Sequence, residues 1–313
     1  EKVWSCIPSS EKVLITDTFN RLKKENPSNS TVRKFVSIQN GCNHSCTFCI
    51  IPSCRGASVS RTIEEINEEI ELNLSKNIKE IILTGVDITS WGEDLKGNLV
   101  FANLIEQILN KNTKLKRLRL SSIDVAEIDE KFLVLIKNQP RLMPHFHLSL
   151  QSLDNLILKR MKRRHNVDQT INLFNNIRRH LPNATFGADI ISGFPTESED
   201  MFLNTLNNIK KLNITHLHVF PYSARNGTPA AKMPQISIDI RRKRAKELRK
   251  VGNKNYNSFL KSQINKEHNV LIETSDGLGK TENNLKVKIK NANKGAIVKF
   301  MPNAIHNNHL IIN

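Results

Sequence analysis

The sequence has few aromatic residues, no long apolar run and fewer acidic than basic residues. Aromatic residues make up only 5% of its 313 positions. The longest apolar runs, at 132–136 and 310–312, are far shorter than the roughly 20 residues of a membrane-spanning helix. The first residues show neither the basic-then-apolar layout of a secretory signal nor an initiator methionine. We therefore expect a protein that does not span a membrane.

Cysteine is also scarce, and its distribution along the chain is uneven. Four of the five cysteines fall between positions 42 and 54, which is too close together for a spread-out disulfide framework. A metal site in a reducing compartment fits this pattern better. We therefore expect a cytoplasmic protein with a metal-binding loop.

Basic residues outnumber acidic ones by 47 to 30, which gives a formal net charge of +17 and a pI near 9.8. Such a charge attracts polyanions, and phosphate backbones are the commonest partner. A solvated basic surface explains the same composition, so the location of the charge has to decide. Because aromatic residues are few, we expect sparse base stacking and nucleic-acid binding that depends strongly on salt.

From residue 33 onward, short runs typical of β-strands alternate with segments of helical period. The β-type runs lie at 35–39, 80–86, 117–122, 145–151, 187–191 and 216–220, and amphipathic segments lie at 62–76, 99–110, 167–180 and 200–212. Repeated strand–helix units imply a parallel sheet, and curling into an open barrel places the chemistry at the carboxyl ends of the strands. We therefore predict the α/β class, as an open (β/α)6 partial TIM barrel.

A long basic helix and a small β-rich module follow the predicted barrel. The helix extends from Asp239 to about Leu260, and strand-like segments at 269–273, 285–290 and 296–301 are separated by glycines. These patterns predict three regions: residues 1–31 as a linker or remnant, 32–245 as the barrel, and 246–313 as a small all-β barrel.

Cys42, Cys46 and Cys49 follow the first predicted strand in the pattern C-x3-C-x2-C. Three thiolates on one tight loop can ligate three irons of a four-iron cluster, leaving the fourth iron open for a substrate ligand. Structural zinc is the main alternative. Zinc requires four ligands, so His44 or Cys54 would have to supply the fourth.

With Phe48 before the third cysteine, this motif resembles the signature of the radical S-adenosylmethionine (radical SAM) superfamily. In that superfamily the open iron chelates S-adenosylmethionine, and an electron from the cluster cleaves it to a 5'-deoxyadenosyl radical. The resemblance implies that the three cysteines ligate the cluster and that Phe48 lies beside the adenine. Further implied cofactor contacts are Thr84, Gly85, Asp87, Ser121, Ser122, Asp124, Gln151, Asp189 and Gly193.

The segment 49–61 is similar to the methylthiotransferases, which attach a methylthio group to an unreactive carbon. The stretches 83–90, 119–124 and 220–231 resemble the branch that acts on C2 of N6-threonylcarbamoyladenosine next to the anticodon (tRNA position 37). This resemblance implies a radical transferase with a [4Fe-4S] cluster, S-adenosylmethionine as radical source and methyl donor, and tRNA as substrate. An electron donor such as a flavodoxin or a ferredoxin is also implied.

Two groups of basic residues are candidates for tRNA contacts. The first lies in the run 158–165 and contains Arg160, Lys162, Arg163 and Arg164. The C-terminal module resembles the TRAM domain, a small RNA-binding β-barrel. Alternation at Lys286, Lys288 and Lys290 predicts three ammonium groups on one strand face. For any single lysine, a solvated barrel surface is an equally good explanation.

Methylthiotransferases normally begin with a separate domain whose three cysteines carry a second [4Fe-4S] cluster. Upstream of Cys42 only Cys6 is present, so the expected ligands of that cluster are absent here. We expect a fragment, a separate chain carrying the N-terminal methylthiotransferase domain, or a decayed gene.

Cys54 is expected to be an unliganded thiol. Two rival functions stay open: a noncatalytic RNA-binding remnant, and a methylthiotransferase for a ribosomal protein.

Overall fold

The computed structural model describes residues 31–312, so Cys6 and the predicted linker, apart from Thr31, lie outside the described residues. Over this range the chain folds into an α/β barrel followed by an all-β module. No helix between residues 31 and 312 combines the length and the apolar character that crossing a membrane requires.

The strands and helices are numbered in chain order. The strands are β1 (Arg33–Ser37), β2 (Gln39–Asn40), β3 (Val59–Ser60), β4 (Glu80–Thr84), β5 (Arg117–Leu120), β6 (Ser122–Ile123), β7 (His145–Gln151), β8 (Thr185–Ser192), β9 (His216–Pro221), β10 (His268–Ile272), β11 (Leu278–Thr281), β12 (Lys286–Lys288), β13 (Ile297–Phe300), β14 (Ala304–His306) and β15 (His309–Ile311). The α-helices are α1 (Ile51–Arg55), α2 (Ile63–Ser75), α3 (Phe101–Lys111), α4 (Glu130–Asn138), α5 (Asn155–Arg160), α6 (Val167–His180), α7 (Glu199–Leu212) and α8 (Ile238–Lys261). Short 3-10 helices lie at Ile88–Ser90, Val125–Glu127 and Pro229–Lys232.

Parallel strands form the barrel in two sheets, with the orders β1-β4-β5 and β6-β7-β8-β9. β5 and β6 are consecutive pieces of one strand, separated by Ser121, whose amide donates to the Leu83 carbonyl (2.9 Å). In these sheets β1 and β9 are the outer edges, so the barrel is open between them. The predicted fold class is confirmed, and all the predicted barrel strands are present.

Burial alternates along β7 because successive side chains point to opposite faces. In β7, Phe146, Leu148 and Leu150 are buried in the core between the sheet and the outer helices. His147 and Ser149 are partly buried and lie on the other face, toward the barrel interior. Polar side chains of the interior therefore come from the same strands that build the apolar core.

The outer helices have well-defined starts. Thr62 and Glu65 form a capping box at the start of α2, and Asn166 and Gln169 form another at α6. These caps satisfy amide groups that the first turn of a helix leaves unpaired. They fix where each helix begins relative to the barrel.

The C-terminal module is a six-stranded sheet with the order β13-β10-β11-β12-β15-β14. Its own core contains Leu260, Val270, Ile272, Leu285, Val287, Phe300 and Leu310. The three predicted strand segments correspond to β10, β12 and β13, and β11, β14 and β15 are additional. Val287 is buried between Lys286 and Lys288, as alternation requires, whereas Lys290 lies in the turn that follows β12.

The module packs against the amino end of the barrel. Arg117 in β5 donates to the Lys280 carbonyl (3.2 Å), and Arg119 donates to the Glu282 carbonyl (3.2 Å). Both arginines also lie beside the buried carboxylate of Glu80, at 3.7 and 3.1 Å. The carboxyl ends of the strands, where the cysteine loop lies, are at the other end of the barrel.

α8 connects the barrel to the module. It continues through residues 245 and 246, the position of the predicted domain boundary. Its first turns contact the barrel, and Leu260 near its end belongs to the core of the module. The division into domains at that position stays a prediction.

Candidate iron-sulfur and cofactor site

The cysteine loop begins directly after β2 and folds back on itself. Gly41 adopts a φ of 75°, and a Cβ on it would lie 1.9 Å from the carbonyl oxygen of Ala57, so a side chain cannot fit. The Cys42 amide donates to the Gly56 carbonyl (3.1 Å). These two contacts bring the ends of the segment 41–57 together and hold the three cysteines on one loop.

Thr47 anchors this loop to two later segments of the chain. Its hydroxyl donates to the Arg160 carbonyl (2.8 Å), and its amide donates to the Met161 carbonyl (3.1 Å). Its own carbonyl accepts from the Ala230 amide (2.9 Å). Because these partners follow β7 and β9, the loop is held above the ends of the barrel strands.

Cys42, Cys46 and Cys49 line one cavity of about 150 Å³. The other lining residues are His44, Phe48, Ile51, Val86, Asp87, Ser122, Asp124, Ser149, Gln151 and Arg163. Burial raises the pKa of the Cys42 thiol to about 11 and raises that of Cys49 as well. A metal offsets this cost because it binds the thiolate form.

The donor set fits a four-iron cluster with one open iron. Three thiols reach the cavity, whereas Cys54 is exposed on α1 and does not line it. Among residues 31–312, no cysteine other than these three lines the cavity and could supply a fourth thiolate ligand. The arrangement therefore keeps one coordination position for a ligand that is not protein.

His44 is held by carboxylates rather than offered to a metal. Its Nε2 lies 2.6 Å from Asp87 Oδ2 and 3.2 Å from Glu127 Oε1. The hydrogen bond to Asp87 is the main reason that the pKa of His44 is raised to about 10. An imidazolium has no lone pair for a metal. The ligand atoms of Cys42, His44 and Asp87 do lie within 4.8 Å of one another, but zinc there would have to displace this ion pair.

Arg163 connects Asp124, the residue after β6, to the cysteine loop. Its Nη2 donates to Asp124 Oδ2 (2.9 Å) and to the Ser149 carbonyl (2.7 Å), and its Nη1 donates to Cys46 Sγ (3.6 Å). Burial alone would raise the pKa of Asp124, but His165, whose Nδ1 lies 3.7 Å from Oδ1, and the charge of Arg163 hold that pKa below its usual range. A fixed positive charge therefore lies beside a candidate cluster ligand.

A second cavity, of about 300 Å³, adjoins the first. Its lining consists of Phe48, Gln151, Asp189, Ile191, Phe220, Pro221, Tyr222, Ser223 and Arg225. Phe48 and Gln151 line both cavities, so the two share a wall. The aromatic rings and the carboxylate of this lining suit a planar base with a polar sugar.

Asp189 is the carboxylate of the second cavity and is flanked by two histidines. Its Oδ1 lies 3.0 Å from His147 Nε2 and 3.2 Å from His218 Nδ1. Burial alone would raise the pKa of Asp189, but the hydrogen bond with His147 and the histidine charges lower it. These three ligand atoms also lie within 4.8 Å of one another, so the group is a second geometric candidate for a cation. In the structure the ring nitrogen of each histidine is instead hydrogen-bonded to the Asp189 carboxylate.

Gln39 shapes the end of the second barrel strand. Its Oε1 accepts from the amides of Val86 (3.1 Å) and Asp87 (2.8 Å), and a Cβ on Gly85 would lie 2.7 Å from its carbonyl oxygen. Sequence analysis missed Gln39, because in a strand it has no feature that marks it as a positioning residue. It fixes the segment that carries Asp87 into the first cavity.

The predicted cofactor residues fall into two groups. Those that line a cavity are Phe48, Asp87, Ser122, Asp124, Gln151 and Asp189. Those that lie at strand ends outside the two linings are Thr84, Gly85, Ser121 and Gly193. The cofactor contacts of both groups stay predictions.

The predicted RNA-contact residues are in part engaged within the protein. Arg160 donates to the Thr196 carbonyl (2.9 Å), and Arg163 and Arg164 both donate to Asp124. Lys288 lies 2.5 Å from Asp276. The exposed members of the two groups are Lys162, Arg164, Lys286 and Lys290. Their contacts with RNA stay predictions.

Residues 36–209, more than half of the chain, match the family model of the radical SAM superfamily. The chain belongs to the radical SAM superfamily. This radical SAM chain is also similar in structure to the radical S-adenosylmethionine methyltransferase TsrM from Kitasatospora setae. The TM-score is 0.53 at 16% identity, covering 63% of this chain and 35% of that one. At that identity the likeness shows the fold alone.

Curated relatives of this radical SAM chain carry the names of tRNA-modifying enzymes. It is 49% identical to threonylcarbamoyladenosine tRNA methylthiotransferase MtaB of Rickettsia prowazekii, over 82% of this chain and 61% of that protein. It is 37% identical to MtaB of Aquifex aeolicus, over 82% and 62%. It is 32% identical to tRNA-2-methylthio-N(6)-dimethylallyladenosine synthase of Ehrlichia chaffeensis, over 83% and 60%. The matched region is thus about three fifths of each relative.

Membership of the radical SAM superfamily implies a [4Fe-4S] cluster and S-adenosylmethionine, as predicted. The three-thiol cavity described above has the donors for such a cluster. The second cavity adjoins it and has the size and lining for a nucleoside. A second cluster is typical of methylthiotransferases, but before Cys42 this sequence has a single cysteine, Cys6, which lies outside the described residues.

Proposed function

We propose that this chain is the radical-generating part of a tRNA methylthiotransferase that adds a methylthio group to C2 of N6-threonylcarbamoyladenosine, next to the anticodon. The observation that carries the proposal is the convergence of Cys42, Cys46 and Cys49 on one cavity beside an aromatic-lined one. Because the chain spans only 61% and 62% of the MtaB relatives, the complete reaction is part of the proposal.

The cofactors supply the difficult step, which is removal of a hydrogen atom from an unactivated carbon by a radical derived from S-adenosylmethionine. The protein residues bind and orient. Phe48 offers a ring face for a base, and the ionised Asp189 offers an acceptor for sugar hydroxyl groups. Arg163 and protonated His44 place positive charge beside the thiolates. Together these groups hold the cofactor against the cysteine loop.

The choice of acceptor nucleoside rests on similarity. The MtaB relative at 49% identity favours threonylcarbamoyladenosine over dimethylallyladenosine, because three relatives named for the latter are 32%, 36% and 37% identical. The high positive charge supports an RNA substrate. A flavodoxin or ferredoxin as electron donor, a separate N-terminal methylthiotransferase domain as partner, and a cytoplasmic location stay predictions.

Anaerobic reconstitution with iron and sulfide tests the cluster. We expect about four iron atoms per chain in the wild type and production of 5'-deoxyadenosine from S-adenosylmethionine. Cys46→Ala should abolish both. Cys54→Ala is the matched control, because that thiol is exposed and lies outside the cavity, and it should retain both. Equal loss in the two variants, or zinc binding without cleavage of the cofactor, would contradict the proposal.

The acceptor is tested by mass spectrometry of tRNA nucleosides from cells with and without the gene. Loss of 2-methylthio-N6-threonylcarbamoyladenosine supports the proposal. Loss of the dimethylallyl counterpart, or of a ribosomal-protein modification instead, would assign another substrate. An unchanged nucleoside pattern, together with tRNA binding that survives Cys42→Ala, would favour the noncatalytic RNA-binding remnant.

A further inference from the structure

α8 extends from the mouth of the barrel to the C-terminal module. At its start, Arg241 donates to the Tyr222 carbonyl (2.9 Å), and its own carbonyl accepts from Ser192 Oγ (3.2 Å). Tyr222 lines the second cavity. At its end, Leu260 lies in the core of the module, with Tyr256 and Phe259 packed against that core. A ligand that follows this helix therefore passes from the module to the candidate site.

The solvent-facing side of α8 carries a row of lysines. The buried face includes Ala245, Leu248 and Gly252, which pack on the barrel. On the opposite face lie the exposed side chains of Lys243, Lys246, Lys250, Lys254 and Lys261. At about 100° per residue, all five fall within an arc of about 80°. We call these five residues the lysine row.

The ammonium groups of the lysine row are free of internal partners. Within the described part of the chain, none of them donates to a side chain or pairs with a carboxylate. Arg244 on the same helix differs, because it is buried and pairs with Glu197 (2.8 Å) and Glu199 (2.9 Å). Asp239 and Glu247 are the acidic residues of α8, so the row keeps a strong net positive charge.

We propose that the lysine row of α8 binds the phosphate backbone of an RNA strand and guides it from the C-terminal module to the mouth of the barrel. The proposal rests on the proposed tRNA substrate and names the surface that receives it. The row is about 27 Å long at 1.5 Å per residue, enough for several successive phosphates. The sequence pattern favoured Arg160, Arg163 and Arg164 for phosphate binding, but their guanidinium groups bind acceptors in the barrel. In this proposal the lysine row binds the phosphates instead.

The test compares two variants of the full chain, each lacking five positive charges. In the first, all five residues of the lysine row become glutamine, which preserves helix propensity. In the matched control, five exposed lysines elsewhere on the barrel become glutamine: Lys76, Lys96, Lys114, Lys116 and Lys137. The affinity for an unmodified tRNA transcript is measured by filter binding between 50 and 200 mM salt. Circular dichroism confirms that both variants are folded.

The lysine-row variant should show a weaker salt dependence than the wild type. Each lost contact with a single strand removes about 0.7 from the slope of log affinity against log salt, so five remove about 3.5. Over this fourfold range of salt, the wild type should then lose about 100-fold more affinity than the variant. The control should keep the wild-type slope within about 1.

An unchanged slope in the lysine-row variant, or an equal fall in both variants, would overturn the proposal. The second result would mean that total charge rather than this surface sets the affinity. The binding measurement needs neither the cluster nor turnover. Failure of the proposed chemistry would appear instead in the iron content and 5'-deoxyadenosine, with tRNA binding intact.

Discussion

Replacing Arg163 with methionine should lower the reduction potential of the cluster. Its Nη1 donates to Cys46 Sγ (3.6 Å), while Asp124 and the Ser149 carbonyl hold its Nη2. Positive charge and hydrogen bonds at a ligand sulfur favour the reduced cluster, because they stabilise the added electron. Methionine keeps much of the aliphatic volume and removes both effects.

The size of the shift follows from Coulomb's law. At an effective dielectric constant of about 20 and about 7 Å from a delocalised electron, one charge contributes about 2.4 kcal/mol. For a one-electron couple this corresponds to about 100 mV, since about 59 mV is a factor of ten. Asp124 already offsets part of the charge and keeps Arg164 (3.2 Å) as a partner. We therefore expect a fall of about 50 to 100 mV.

Redox titration of the reconstituted full chain, followed by electron paramagnetic resonance, measures this potential. Arg160→Met is the matched control, because that guanidinium donates to the Thr196 carbonyl and not to a cluster thiol. Its potential should stay within about 20 mV of the wild type. The reasoning is refuted if Arg163→Met leaves the potential unchanged or if both variants shift it equally.

Two further predictions concern the loop and the barrel interior. Gly41→Ala should prevent iron incorporation, because its Cβ would meet the Ala57 carbonyl, whereas Gly97→Ala, with open space around it, should keep the wild-type iron content. Burial lowers the pKa of His216 to about 4, so the folded state binds fewer protons than the unfolded one below pH 6.5. The free energy of unfolding should therefore fall by up to about 3 kcal/mol as the pH drops from 6.5 to 4. His216→Phe should flatten this dependence in urea unfolding, and the exposed His180→Phe should not.

The barrel strands can be predicted from the sequence, because each is an apolar run bounded by turn residues and followed by an amphipathic helix. The cysteine loop was also recognisable, since its three ligands lie within eight positions. Membership of the family confirms the predicted cofactors. The contacts of individual strand-end residues with those cofactors stay predictions.

The role of Arg163 shows where sequence reasoning stops. A run of basic residues looks the same whether its charges face phosphates or buried carboxylates, and only the folded chain brings Asp124 and Cys46 to this arginine. Gln39 in β2 is a similar case, since its amide partners Val86 and Asp87 lie in the segment that follows β4. Both residues act across the barrel, and no local pattern records a contact between distant positions.

The module on the amino end of the barrel has a consequence for how a long substrate can enter. Arg117 and Arg119 fasten it there, so in residues 31–312 the approach to the three thiols lies at the opposite end. A base stacked within an RNA helix cannot descend into such a one-ended chamber. It has to turn out of the stack and enter singly, as in enzymes that act on flipped nucleotides. A nucleotide in an anticodon loop is already unpaired, so this movement costs it less free energy than it costs a paired nucleotide.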